Sequence, residues 1–263
     1  MQYLEAVILG IIQGITEWIP ISSSGIVSFI SLRFFERSVQ EAFYFSFWLH
    51  IGTVLASCVY FRKDLVSLVK EVPLYLQKKG DGEKRDLFSF LLYSTLLSGI
   101  LGGLFLFFHI ERFLQNAAFA MLFIGLLLVV TGILQLVAKK RDLHRRISSS
   151  DGWLLGLVQS FSVIPGLSRS GITISTLLFK KYSSDQALRL SFLMSIPVIF
   201  GAEIVLGFFD VFQFRFVYLL SALVSFLVGL LSISALMNVA RKINLGWFCI
   251  LLGILSMISL TFL

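Results

Sequence analysis

Charge is what this chain has least of. Only 14% of its 263 residues are Asp, Glu, Lys or Arg, 57% are apolar, and mean hydropathy is +0.90. Soluble domains carry roughly 25% charged residues, so an ordinary soluble domain is excluded. Cysteine is scarce too: Cys58 and Cys249 both fall in apolar runs, and neither their number nor their spacing suggests a disulfide framework or a metal site. Both read as lipid-facing or core residues. No Gly-rich loop with a Lys follows a strand, which leaves nucleotide binding without support. The strand alternation of an outer-membrane barrel is missing. The amino end has no basic segment followed by a small-residue cleavage site, so the mature chain is expected to begin at Met1.

Long apolar runs are what the chain does have. Spans of about 20 residues are expected over Ala42 to Phe61, Leu87 to Phe108, Ala117 to Val137, Leu190 to Phe209, Phe216 to Ala240 and Leu245 to Leu263. In lipid such spans must be helices, which satisfy their own backbone. The expected fold is therefore all-α, a polytopic membrane protein forming one membrane domain over 1–263. Its net charge of +7 comes from Lys and Arg in short loops, the ordinary topogenic pattern, and does not imply nucleic acid. Residues 64–79, mixing apolar and basic positions, are expected to form an interfacial helix near anionic headgroups.

Two segments, 3–32 and 152–179, are apolar at both ends but interrupted by Pro, Ser and Gly. If both span the bilayer, Lys and Arg in the loops divide 13 to 8 between the two sides; if both are re-entrant hairpins, they divide 17 to 4. The positive-inside bias selects the hairpins, the loop 62–86 inside and the amino terminus outside. Residues 1–138 and 152–263 then form two halves of inverted topology, each a hairpin followed by three spans. "QGITEWIPISSSG" (Gln13 to Gly25) and "QSFSVIPGLSRSG" (Gln159 to Gly171) repeat the same Gln-to-Gly separation, and Phe47 and Phe192 follow the two glycines by 22 and 21 residues. Inverted repeats with broken helices place a polar site near the midplane, between the repeats.

Each interruption is a Ser/Gly stretch leading into a helix. Capped helix amino termini with free amides bind anions, phosphate above all. Arg169 sits in the second interruption, and an intramembrane arginine is costly and matched in shape to phosphate oxygens. The expected ligand is a phosphate or diphosphate. Glu17, one turn after Gln13, has three open readings: general base, holder of a divalent cation, or ion-pair partner of Arg169.

Together "QGITEWIPISSSG" and "PGLSRSGITIS" resemble the two signature motifs of the undecaprenyl-diphosphate phosphatase family, membrane enzymes linked with bacitracin resistance. The resemblance covers most of the chain and implies six spans plus two re-entrant hairpins. It implies hydrolysis of a C55 polyprenyl diphosphate to the monophosphate lipid carrier and inorganic phosphate at the outer face of the plasma (inner) membrane. A divalent cation, Mg²⁺ or Ca²⁺, is implied as cofactor. The implied partners are the polyprenyl diphosphate lipid and the bilayer, with a second copy of the chain in a homodimer. Gln13, Glu17, Ser22, Ser23, Ser24 and Gly25 match the first motif; Ser168, Arg169, Ser170, Gly171 and Thr173 fall in the second. The departure is Ile26, where the family pattern usually has a histidine with an acid, base or nucleophile role.

The resulting expectation has Arg169, Ser168, Ser170 and the hairpin amides holding the diphosphate, with the cation near Glu17. Ser23 attacks the terminal phosphorus or positions a water, and Glu17, with His50 as a candidate for the missing histidine, takes the proton. Arg169→Ala is expected to abolish activity while leaving folding largely intact. Bland readings stand beside these. His50 can be a packing residue, the intramembrane carboxylate Glu203 reads equally as functional or as a structural partner of a backbone or hydroxyl group, and Gly102, Gly103, Gly125 and Gly132 read as helix-packing positions. His109 and His144 look unremarkable. The rival function is a polyprenyl-phosphate transporter, or a non-catalytic binder, on the same scaffold.

Overall fold

The computed structural model describes residues 2–79, 82–114, 117–138, 144–208 and 215–259; at 43–44, 106–114, 117–118 and 205–208 it describes the backbone alone. Among these residues every regular element is helical. In chain order they are α1 (Gln2–Thr16), α2 (Ser23–Phe34), α3 (Val39–Tyr60), α4 (Arg62–Leu76), α5 (Gly82–Leu114) and α6 (Ala117–Val137). There follow α7 (Asp151–Ser160), a 3₁₀ turn (Phe161–Val163), α8 (Arg169–Phe179), α9 (Ser184–Phe208), α10 (Phe216–Lys242) and α11 (Gly246–Ile258).

Five helices, α3, α5, α6, α9 and α10, are long and apolar enough to cross a bilayer. They coincide with five of the six expected spans, their ends shifted by a few residues. The sixth, Leu245 to Leu263, is described as the 13-residue α11, and residues 260–263 lie outside the described residues. The two interrupted segments form the helix pairs α1–α2 and α7–α8, with 15, 12, 10 and 11 residues. At the helical rise these are about 15 to 23 Å long, short of the roughly 30 Å of hydrocarbon. The helix expected over 64–79 is α4, which exposes Val66, Val69 and Leu76 among its basic residues and buries Glu71.

Lipid tails are as apolar as leucine, so these helices associate by close approach of small residues rather than by hydrophobic exclusion. Helix α1 lies on α10, where a methyl on Gly10 would stand 2.9 Å from the Ser221 carbonyl oxygen. The second pair repeats the contact: α7 lies on α5, and a methyl on Gly156 would stand 2.8 Å from the Ser94 carbonyl oxygen. Helices α6 and α11 cross through two reciprocal glycine contacts, Gly125 with Gly253 and Gly132 with Gly246. Gly125 and Gly132 are thus the packing positions expected, and Gly102 meets Val163. Gly103 is not one of them, because a methyl there meets nothing within 4 Å among the described residues.

Each short helix pair is closed at its base by a buried carboxylate. Glu5 on α1 accepts two hydrogen bonds from Arg37, beyond the end of α2, at 2.8 and 2.7 Å. Asp151, at the start of α7, accepts from Lys180 Nζ at 2.9 Å, Arg145 Nη2 at 3.1 Å and the Tyr182 hydroxyl at 2.8 Å. These pairs fix the open ends of the hairpins and leave the tips to meet in the interior.

Two expectations follow. Gly132→Ala forces a methyl to within 2.5 Å of the Gly246 backbone oxygen, so it should cost about 1–3 kcal/mol and lower the apparent melting temperature in detergent. Gly103→Ala should not lower it. Burial, together with the Asp151 hydrogen bond, pushes the Tyr182 hydroxyl up to about 12. A raised folded-state value contributes stability that is complete below the unfolded value of about 10 and is lost as pH climbs towards 12. Melting curves between pH 9 and 12 should therefore fall more steeply for the native chain than for Tyr182→Phe.

Candidate active site

The tips are built by serine caps. Helix α1 ends at Thr16, the chain turns through Glu17–Ser22, and Ser22 takes a left-handed conformation (φ 61°) from which its Oγ accepts the Gly25 amide at 3.3 Å. In the second hairpin the Ser168 Oγ accepts the Gly171 amide at 3.1 Å. The Gly25 and Gly171 amides, both expected to bind ligand, are therefore taken up by the caps. The amides of Ser23, Ser24, Arg169 and Ser170 belong to the first turns, which have no carbonyl partner within their own helix.

The tips also touch. A methyl on Gly25 would lie 3.2 Å from the Cα of Gly166, in the turn before α8. Gly166 itself has φ +98° and faces the Ile124 backbone of α6, a conformation and a clearance that only glycine meets. Helix α6 holds both tips from behind. Thr131 Oγ1 accepts the Ser168 amide at 3.2 Å, and one turn later Gln135 Nε2 donates to the Pro20 carbonyl at 2.5 Å.

Between the tips lies a cavity bordered by α3 and α9. Its polar centre is Glu17, 5% exposed, which brings four other expected site residues together. Arg169 Nη2 donates to Glu17 Oε1. Ser23 Oγ donates to Oε2 at 2.6 Å, and Gln13 Nε2 donates to the same oxygen at 3.0 Å. His50 Nε2 stands 3.5 Å from Oε2. The His50 Nδ1 is 2.6 Å from the Ser46 carbonyl, which can only accept, so the hydrogen is assigned to Nδ1 and Nε2 is the nitrogen turned to the site. Of the three readings of Glu17, the ion pair with Arg169 is present, and the Ser23 contact is the one a general base needs. Arg169 also lies 5.9 Å over the Phe192 ring, and its Nη1 is buried with no acceptor among the described residues.

Glu17, Ser22, Ser23, Ser24, His50, Ser168, Arg169 and Ser170 all line the cavity. Gln13, Gly25, Gly171 and Thr173 do not. Gln13 backs Glu17, and the Thr173 hydroxyl lies 2.8 Å from the Arg169 carbonyl and 2.7 Å from Ser191 Oγ, holding α8 against α9. Ile26 is off the wall too. Gln159, Ser162 and Glu203 line the cavity without having been expected at the site. Gln159 was findable, since it repeats the place of Gln13; its Nε2 donates to Ser98 Oγ at 3.1 Å. Thr131 and Gln135 sit in an apolar helix with no motif around them. The side chain of His109 lies outside the described residues, and His144 is exposed.

No three His, Cys, Asp or Glu side chains come together among the described residues, so the chain offers no ready cation cage. Glu17 is the one carboxylate at the polar centre. This fits a cation of the Mg²⁺ type, which is commonly held by one or two carboxylates, waters and the oxygens of a phosphorylated substrate.

A helical membrane chain whose two short helix pairs meet around a buried arginine, a serine–carboxylate contact and free first-turn amides has the parts of a site for a phosphorylated lipid. The family model described as "Bacitracin resistance protein BacA" matches residues 6–258, and the chain belongs to that family. Relatives named undecaprenyl-diphosphatase include that of Methanococcoides burtonii, 43% identical over 97% of both chains. That of Methanothrix thermoacetophila is 34% identical over 98% of this chain and 96% of its own. Undecaprenyl-diphosphatase 1 of Shouchella clausii is 33% identical over 100% of this chain and 97% of its own.

Gln135→Leu removes the amide donor to the Pro20 carbonyl and leaves that buried acceptor only the weak Cys249 thiol donor at 3.4 Å, at a cost of about 1 kcal/mol. The expected result is faster amide exchange across residues 17–24 with little change across 168–175, read by hydrogen–deuterium exchange mass spectrometry.

Proposed function

We propose that this multi-pass membrane protein is an undecaprenyl-diphosphate phosphatase, hydrolysing the diphosphate lipid to the monophosphate carrier and inorganic phosphate in the cavity between the hairpin tips. The observation that carries this reading is the buried Arg169 Nη1 left without an acceptor, within one site with a Ser23 hydroxyl already donating to Glu17. A free guanidinium donor in low dielectric calls for an anionic oxygen. A serine hydroxyl on a carboxylate is an activated nucleophile or a holder of water.

In this reading Arg169, Ser168, Ser170 and the first-turn amides bind the diphosphate and neutralise the charge that builds on its equatorial oxygens. Ser23 attacks the terminal phosphorus, or orients the water that does, and Glu17 takes the proton. His50 turns Nε2 toward Glu17 and stands in for the imidazole absent at position 26. Glu17 is the residue that would hold a divalent cation, Mg²⁺ or Ca²⁺, whose part is further neutralisation of the diphosphate. The rival, transport without cleavage, leaves the Ser23–Glu17 contact without a purpose.

The reading places the chain in the plasma membrane, amino terminus outside and residues 62–86 inside, as an inverted repeat of 1–138 and 152–263. What supports the repeat is the exchange of partners, α1 on α10 and α7 on α5, together with matching serine caps and matching base carboxylates. A homodimer belongs to the reading, although the site draws all its parts from one chain.

The test is phosphate release from a polyprenyl diphosphate by purified protein in detergent, with Mg²⁺ or Ca²⁺ and with chelator. Ser23→Ala should lower kcat by roughly 10²–10⁴-fold, and Arg169→Lys, which keeps charge but loses the fork, should raise KM and lower kcat. Arg169→Ala is a poorer probe than the sequence implied: it strands Glu17 as a buried charge, a loss of about 3–5 kcal/mol. Bound lipid with no phosphate released by the native protein would overturn the hydrolytic reading in favour of transport or non-catalytic binding.

A further inference from the structure

One carboxyl of the cavity has no part in the chemistry above. Glu203 on α9 lines the cavity, is 9% exposed, and has no hydrogen-bond partner for either oxygen among the described residues. The structural reading open to it, a bond to a backbone or hydroxyl group, is therefore absent. An intramembrane carboxyl is costly to keep and commonly marks a proton or ion path.

Its position fits the first of these. Ser195, Val198, Ile199, Ala202 and Glu203 form one face of α9 along the cavity, so Glu203 lies about 12 Å along the helix from Ser195. Arg169 sits over Phe192, at the Ser195 end of that face. An apolar stretch thus separates Glu203 from the polar centre, within one continuous cavity. About 120 Å³ of that cavity is open to the centre of a water molecule, against roughly 10–15 Å³ needed for each water.

The reaction supplies a proton that needs such a path. At neutral pH the lipid diphosphate, at charge −3, takes up one water. A bond forms from the water oxygen to the terminal phosphorus, directly or through Ser23, and the bridging P–O bond breaks with its electron pair on the lipid phosphate. The products are lipid phosphate at −2, hydrogen phosphate at −2 and one proton. Among the described residues the titratable groups facing the cavity besides Glu203 are Glu17 from the first tip, His50 from α3 and Arg169 from α8, and the described side chains of α5 and α10 add none. Glu17 has both oxygens engaged, whereas Glu203 has both free.

We infer that Glu203 is the proton outlet of the site, receiving the proton of hydrolysis through cavity water and passing it on toward the carboxyl end of α9. This rests on the hydrolytic reading. Glu203 does not touch the reacting atoms and acts as a relay.

The experiment compares native protein, Glu203→Gln and Glu203→Asp in phosphate release from a polyprenyl diphosphate across a pH series, with and without added formate as a small mobile acid. Glu203→Gln should lower kcat about tenfold at neutral pH, below the range for acid–base groups at the reacting atoms. KM and melting temperature should stay unchanged, formate should restore part of the rate, and Glu203→Asp should keep most of it. A Glu203→Gln variant with the native kcat and pH profile overturns the inference. So does a loss that formate leaves in place. Absence of phosphate release from the native protein removes the hydrolytic reading itself, and the relay with it.

Discussion

The buried pair between Glu17 and Arg169 is the constraint from which the rest of the interior follows. Neither charge is stable alone at that depth, because desolvation of an isolated ion exceeds anything a helix bundle returns. The two charges come from opposite halves of the chain, so each half is complete only when the other is in place. Bringing them together requires the hairpin tips to approach, and that approach requires glycine at 25 and 166. Trp18, fully buried against Phe192 at 5.7 Å, closes the apolar wall beside the pair.

Depth is set from both ends of each hairpin. At the base, Glu5 and Asp151 anchor short helices that cannot be held by their own length; at the tip, α6 offers Thr131 and Gln135 one turn apart. A single rigid helix thus fixes the spacing of the two tips, and its own place is fixed by the glycine crossing with α11. The hydrogen bonds that hold the two tips thus come from the helix behind the site.

Much of this was legible in the sequence because the bilayer permits so few solutions. Apolar runs had to be helices, and a carboxylate, an arginine and two serine clusters inside such runs had to find one another. Other parts were not legible. The reach of Gln135 to the Pro20 carbonyl, or of Ser232 to the Gly14 carbonyl at 2.9 Å, depends on which helices become neighbours, and nothing local announces that. Gly25, Gly171 and Thr173 were read as ligand contacts from their place in motifs. The two amides are used within the hairpins because a helix start must be capped before it can bind anything else, and the Thr173 hydroxyl is spent on the Arg169 carbonyl and on Ser191 of α9. Gly103 was read as a packing position from its type alone, and a methyl there meets nothing within 4 Å among the described residues.

Position 26 shows how far a site can change without losing its logic. Isoleucine there lies off the cavity wall, so its side chain leaves no gap in the ring of serines, Glu17 and Arg169. The imidazole near Glu17 is on α3, where the Ser46 carbonyl fixes the His50 ring and turns Nε2 inward. Phosphoryl transfer asks a protein chiefly for position and charge, and only secondarily for a particular base. In the proposed mechanism the Ser23 hydroxyl already donates to Glu17, so the proton has a first acceptor whatever residue stands at 26.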